Sequence, residues 1–153
     1  MGCDLYIKDL PREAQYTGFE VSQESVNVGY FRDCYNSSGL FSWLTDNTGM
    51  EFSWWQLTEE KKDDWFRDDE EEGMLLTVRG AKEFLNLLNI AESIMVKQHS
   101  YFKKNLEIKN GKPFYKEEKQ TDEEAMKYYE WFGLLLQFLN TAIKRKSEVI
   151  WSV

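Results

Sequence analysis

TDEEAMKYYEWFGLLLQFLNTAIKRK, Thr121 to Lys146, is the stretch whose reading decides most of the fold. It opens with a capping box, in which the Thr121 hydroxyl takes one free first-turn amide and Glu124 reaches back to another. Ala125, Tyr128, Tyr129, Phe132, Leu135, Leu136, Leu139, Ala142 and Ile143 recur at three- and four-residue steps and share one face. Trp131, Leu134 and Phe138 widen that stripe, which predicts a helix buried on more than one side. Lys144, Arg145 and Lys146 close it with cations at the negative pole.

Upstream, Asn110-Gly111 is a turn signal between Leu106–Ile108 and Pro113–Tyr115, and predicts a small hairpin. Pro113 keeps at least one of its strands short or peripheral. Before it, a first long helix follows Thr77 and is expected to reach about Tyr101. Ala81, Phe84, Leu85, Leu88, Ala91, Ile94 and Met95 form its apolar stripe. Gly80 near its start is a mild cost. Two long helices joined by a short polar stretch are expected to pack antiparallel.

The N-terminal part reads as strand. Leu5 and Ile7 alternate with Asp4, Tyr6 and Lys8, the pattern of a half-buried strand. Pro11 marks a turn over Asp9–Arg12. Phe19–Val21 is a weaker strand. Glu24–Phe31 is a third, with Val26, Val28 and Tyr30 on one face and Gly29 marking a bulge or a close backbone approach. Asn36 or Ser37 caps a short helix running to about Leu44, and Asp46–Gly49 ends it. Met50–Gln56 fits either a strand or a short helix. Thr58–Phe66 reads as a helix capped by Thr58, and Asp68–Gly73 as a charged loop. Glu148–Val153 adds a final strand or a docking tail. The expected class is α+β, a single domain over 1–153: a small antiparallel N-terminal sheet packed on two long antiparallel helices, with short extra helices.

Totals narrow the function. The 153 residues suffice for a proper core, and six Trp, eight Tyr and ten Phe argue for a globular chain. Those aromatics exceed core needs, so part of them is expected at a site or interface. Lys plus Arg is 19 against 27 Asp plus Glu, a net charge of −8. Such a surface repels phosphate backbones, so no direct nucleic-acid binding is expected and basic proteins are the favoured partners. Nine acids and three bases fall between Glu59 and Glu72, so most of the net charge is local. Two cysteines, Cys3 and Cys34, make neither a disulfide framework nor a zinc set. The start has no secretory pattern, no apolar run spans a bilayer, and Tyr6 stands where myristoylation wants Ser or Thr. A cytoplasmic location is expected.

Chemistry-bearing residues are few. The single histidine, His99, reads as an exposed residue late in the first long helix. Nothing in the sequence joins it to Cys34 as a dyad. There is no phosphate-binding glycine loop and no dinucleotide fingerprint. No catalytic residue, cofactor or metal site is therefore assigned. The binding candidates surround Tyr30–Asn36. On a strand, Tyr30, Arg32 and Cys34 face one way while Phe31, Asp33 and Tyr35 face the other. Arg32 beside the free amides of a helix capped near Asn36 suits a phosphate or carboxylate. Trp43, Trp54 and Trp55 are near in sequence and suit stacking on a flat group. The alternative is that Arg32 pairs with Asp33 and the tryptophans fill the core. A second candidate surface is acidic: Asp63, Asp64, Asp68, Asp69, Glu70, Glu71 and Glu72, either a solvated loop or a dock for a basic partner.

Met1-Gly2-Cys3-Asp4-Leu5-Tyr6-Ile7, Tyr30-Phe31-Arg32-Asp33-Cys34-Tyr35-Asn36 and Ser53-Trp54-Trp55 together resemble small uncharacterised proteins encoded by bacteriophages. The resemblance covers the first third of the chain and carries no activity with it. It implies an accessory phage protein that binds and inhibits a host protein, with a counter-defence, anti-CRISPR-like inhibitor as one form of it. The alternatives are a sponge for a nucleotide or other small anionic ligand, using Arg32 and the tryptophans, and an enzyme built on Cys34.

Overall fold

The structure, a computed structural model, describes residues 2–11, 21–34 and 37–152, without the side chains of Asn105, Leu106 and Tyr115. Cys3, Leu5 and Ile7 are buried while Asp4 and Tyr6 are half-buried, and this alternation forms β1 (Gly2–Ile7). Its partner is not the expected strand over Glu24–Phe31. Ser22 and Ser25 make reciprocal side-chain to backbone bonds, a capping box that starts α1 (Gln23–Asn27). The alternation of Val26, Val28 and Tyr30 is real, yet local capping outweighs it. Gly29 then turns the chain at φ +86° into β2 (Tyr30–Cys34). The close approach expected there is present, since a Cβ on Gly29 would lie 2.8 Å from the Leu10 side chain. The expected strand at Phe19–Val21 falls mostly outside the described residues.

Five short elements follow. Helix α2 (Leu40–Thr48) ends at Gly49, whose φ of +73° favours glycine. Helix α3 (Trp54–Glu60) is capped by Ser53, so Met50–Gln56 enters a helix rather than a strand. Thr58 is no cap: it lies inside α3, and its hydroxyl donates to the Trp54 carbonyl. After α4 (Lys62–Trp65), the expected charged loop is instead the hairpin of β3 (Phe66–Asp69) and β4 (Gly73–Leu76).

The first long helix, α5 (Val78–Met95), is capped by Thr77 and stops short of Tyr101. Its Ala81, Phe84, Leu88, Ala91 and Met95 are buried, as the stripe required. Next comes the hairpin of β5 (Phe102–Lys109) and β6 (Lys112–Lys119), longer than expected and turned at Asn110 (φ 52°) and Gly111 (φ 73°). Helix α6 (Asp122–Lys144) begins at Thr121, whose hydroxyl accepts from the Glu124 amide. The Glu124 carboxylate accepts a hydrogen bond from that hydroxyl rather than from a backbone amide.

The chain ends in β7 (Val149–Ser152), and this strand closes the sheet. The order is β2-β1-β7-β4-β3, antiparallel throughout. The sheet is therefore not N-terminal: it draws on both ends of the chain and its middle. Helices α5 and α6 touch each other and share one core with the sheet, through Phe84 beside Trp151 and Phe31 beside Phe138. Burying each of these rings contributes about 2–3 kcal/mol. Mixed helix and sheet is thus the observed class.

Candidate functional site

The junction between β2 and α2 is built around Asp33. In β2, Phe31 and Asp33 point inward, and Asp33 is 1% exposed. Gly39, the residue before α2, has no side chain to cap it. Asp33 supplies the cap from the strand: Oδ1 accepts from Leu40 N at 2.7 Å and Cys34 N at 2.8 Å. Oδ2 accepts from Phe41 N at 3.1 Å and from Trp54 Nε1 at 2.5 Å. Burial pushes the carboxyl above the usual aspartate range, and the donors of Trp54, Leu40, Phe41 and Cys34 pull against it. The first amides of α2 thus already hold an anion, and it belongs to the protein.

Arg32 lies on the other face of β2, so it pairs not with Asp33 but with Asp4 across the strands, at 3.6 Å. Tyr30 is buried and donates to the same Asp4 at 2.6 Å. Its hydroxyl is held far above the usual tyrosine range, first by burial and then by that bond. Tyr35 and Asn36 lie outside the described residues. Trp43 and Trp54 are core residues: Trp54 stacks on Phe41 with ring centres 3.7 Å apart, and Trp43 stacks on Tyr128. Only Trp55 of the three is exposed, at 74%. The structure therefore brings Asp33, Trp54 and the α2 amides together, but spends them on one another.

The acidic candidates are differently placed. Strand β3 is one of the two outer strands of the sheet, and Asp68, Glu70 and Glu71 on its hairpin are exposed, as are Asp63 and Asp64 in α4. Asp69 accepts from the Glu72 amide and so shapes the turn. Arg67, one of the three bases of this stretch, is held by both oxygens of Glu148 at 2.6 Å and lies 3.7 Å from Asp69. Glu148 is lowered by that guanidinium below the usual carboxylate range. Asp68 to Glu72 thus sit on a paired hairpin, not a loose loop, while Asp63 and Asp64 lie on α4.

A third location carries no sequence motif. His99, Ser100, Tyr101, Gln120, Ala125, Met126 and Tyr129 line an open cleft of about 650 Å³. His99 is not in a helix, because α5 has ended before it. Cys34 lines a different cavity, with Trp54 and Trp55. Among the described residues no group of three His, Cys, Asp or Glu is placed to hold a metal ion. No described helix is long and apolar enough to cross a membrane. Comparison with protein-family models, with curated proteins and with solved structures finds no match to this chain.

Proposed function

We propose that this chain is a non-catalytic binding protein that presents the acidic β3–β4 edge to a basic protein surface. The observation that carries the reading is the exposure of Asp68, Glu70 and Glu71 on the outer β3–β4 hairpin and of Asp63 and Asp64 on α4 just before it, with Arg67 already paired with Glu148. Carboxylates held on a rigid edge present a fixed negative field, which speeds and orients docking on a cationic groove. The frame behind that edge is the sheet packed on α5 and α6, with the two helices running antiparallel. Taken with the resemblance of the N-terminal third to bacteriophage proteins, the partner is a host protein whose own ligand is an anion, and docking inhibits it.

The test is capture from bacterial lysate at low and high salt, by the native chain and by Asp68→Lys/Glu70→Lys/Glu71→Lys. These three side chains are exposed, so the variant keeps the native melting temperature. A partner retained by the native chain at low salt and lost with the variant supports the reading. Equal retention by both chains rejects it.

A further inference from the structure

The β5–β6 hairpin forms a sheet of its own and joins neither edge of the five-stranded one. Its base is anchored on α2, where Asn47 bonds Phe102 and Asp46 pairs with Lys104 at 3.5 Å. Beyond that base it projects, and every described side chain from Ile108 to Lys119 is exposed. A two-stranded ribbon wet on both faces is marginally stable by itself, so a surface that covers its outer half stabilises it.

Charge is segregated between this ribbon and the body. Residues 102–119 hold six lysines and three glutamates, a net +3 in a chain of net −8. Lys116 pairs with Glu118 at 3.9 Å within the ribbon. Lys109 and Lys112 flank the Asn110-Gly111 turn and, among the described residues, meet no acid within ion-pair distance. Apolar side chains stand among these cations, Ile108 at 76% exposure and Phe114 at 37%. A phosphate backbone buries no such groups and is repelled by Glu107, Glu117 and Glu118, whereas a protein surface suits the mixture. Lysines along unpaired strand edges oppose strand addition, so docking runs through side chains.

A complementary surface lies on the same chain. Residues 59–72 carry nine acids and three bases, with Asp63, Asp64, Asp68, Glu70 and Glu71 exposed. Among the described residues no ion pair joins these five acids to a hairpin lysine. We propose that the Lys109–Lys112 turn of one copy docks on the acidic α4–β3–β4 surface of a second copy. Opposite fields steer and orient that encounter, and Ile108 and Phe114 are covered beside it. The inference rests on the same acidic surface as the docking reading, and self-association holds that surface until a more basic partner displaces the hairpin. It needs no host protein, so self-association and capture from lysate can fail separately.

Sedimentation equilibrium of the native chain from about 10 μM to about 1 mM tests it, at about 20 mM and about 500 mM salt. The mean mass rises above that of one chain at low salt and falls back at high salt. Lys109→Glu/Lys112→Glu stays monomeric, and so does Asp68→Lys/Glu70→Lys/Glu71→Lys. All five positions are exposed, so both variants keep the native melting temperature. Mixed in equal amounts they associate again, because each reversed surface then meets its opposite. A hairpin merely loosened by substitution would not recover in this way. The proposal is overturned if the native chain stays monomeric throughout at low salt, if Lys109→Glu/Lys112→Glu associates like the native chain, or if the mixture stays monomeric. Retention of the native chain on duplex DNA, lost in the lysine variant and without self-association, overturns it in favour of a nucleic-acid contact.

Discussion

Replacing Asp33 by Asn tests whether one carboxylate holds three elements together. The amide oxygen can still accept from Leu40 and Cys34, the two donors on Oδ1. The NH2 would then oppose Phe41 N and Trp54 Nε1, two donors that need an acceptor. Each buried donor left unpaired costs about 1–3 kcal/mol, and bonds to a charged acceptor are the stronger kind. Removing a charge that burial disfavours offsets part of this. The expected net loss is about 3–4 kcal/mol. For a chain of 153 residues that lowers the melting temperature by roughly 6–16 °C. The assay is urea and thermal unfolding of the native chain, Asp33→Asn, Trp54→Phe and the double variant. Because Trp54 donates to Asp33, the two substitutions should couple by about 1 kcal/mol or more. A loss under about 1 kcal/mol for Asp33→Asn, or strict additivity with Trp54→Phe, would refute the argument.

Gly80→Ala should lose about 2–3 kcal/mol in urea unfolding, although alanine is the better helix former. The added Cβ would lie 2.8 Å from the Trp65 Cα, and backbone has little room to yield; an unchanged or raised stability would show that α4 and α5 are not packed this closely. High pH should also destabilise the fold. Burial is the first cause that pushes the hydroxyls of Tyr128 and Tyr129 up to about 12, against about 10 in the unfolded chain. A folded value above the unfolded one means that their contribution is complete below about pH 10 and is lost as pH rises through about 12. Unfolding free energy and tyrosinate absorbance followed from pH 8 upward check this, and full ionisation of every tyrosine near pH 10 in the still-folded chain would contradict it.

What was legible in the sequence was what is local. Helix α6 was readable because its cap and its stripe lie within one contiguous segment, and α5 for the same reason. The hairpin turn at Asn110-Gly111 needs positive φ at both residues, so two letters sufficed to place it. Strand β7 is the opposite case. Val149, Ile150 and Trp151 are apolar whether the segment is a tail or a strand, and only pairing with both β1 and β4 makes it central. The acidic hairpin was hidden because charge dominates Asp68–Gly73, while the pairing that makes it a hairpin joins Phe66 to Leu76. Asp33 stood among the binding candidates rather than as a cap, since caps are sought beside the helix they cap. This one acts across seven residues, from a neighbouring strand.

Gln120 was missed for a related reason: glutamine carries no motif, and its value comes from Trp43, 77 positions away. These two blind spots share an element. Helix α2 starts on the carboxylate of Asp33 and carries Trp43 one turn later, and Trp43 holds the oxygen of Gln120. One further turn on, Asn47 bonds the backbone of both Trp43 and Phe102 and so fixes the base of the β5–β6 hairpin. The orientation of the Gln120 amide therefore depends on how firmly α2 is seated. The β2–α2 junction and the Gln120 amide are thus joined through one helix, and the anion that the junction holds is its own.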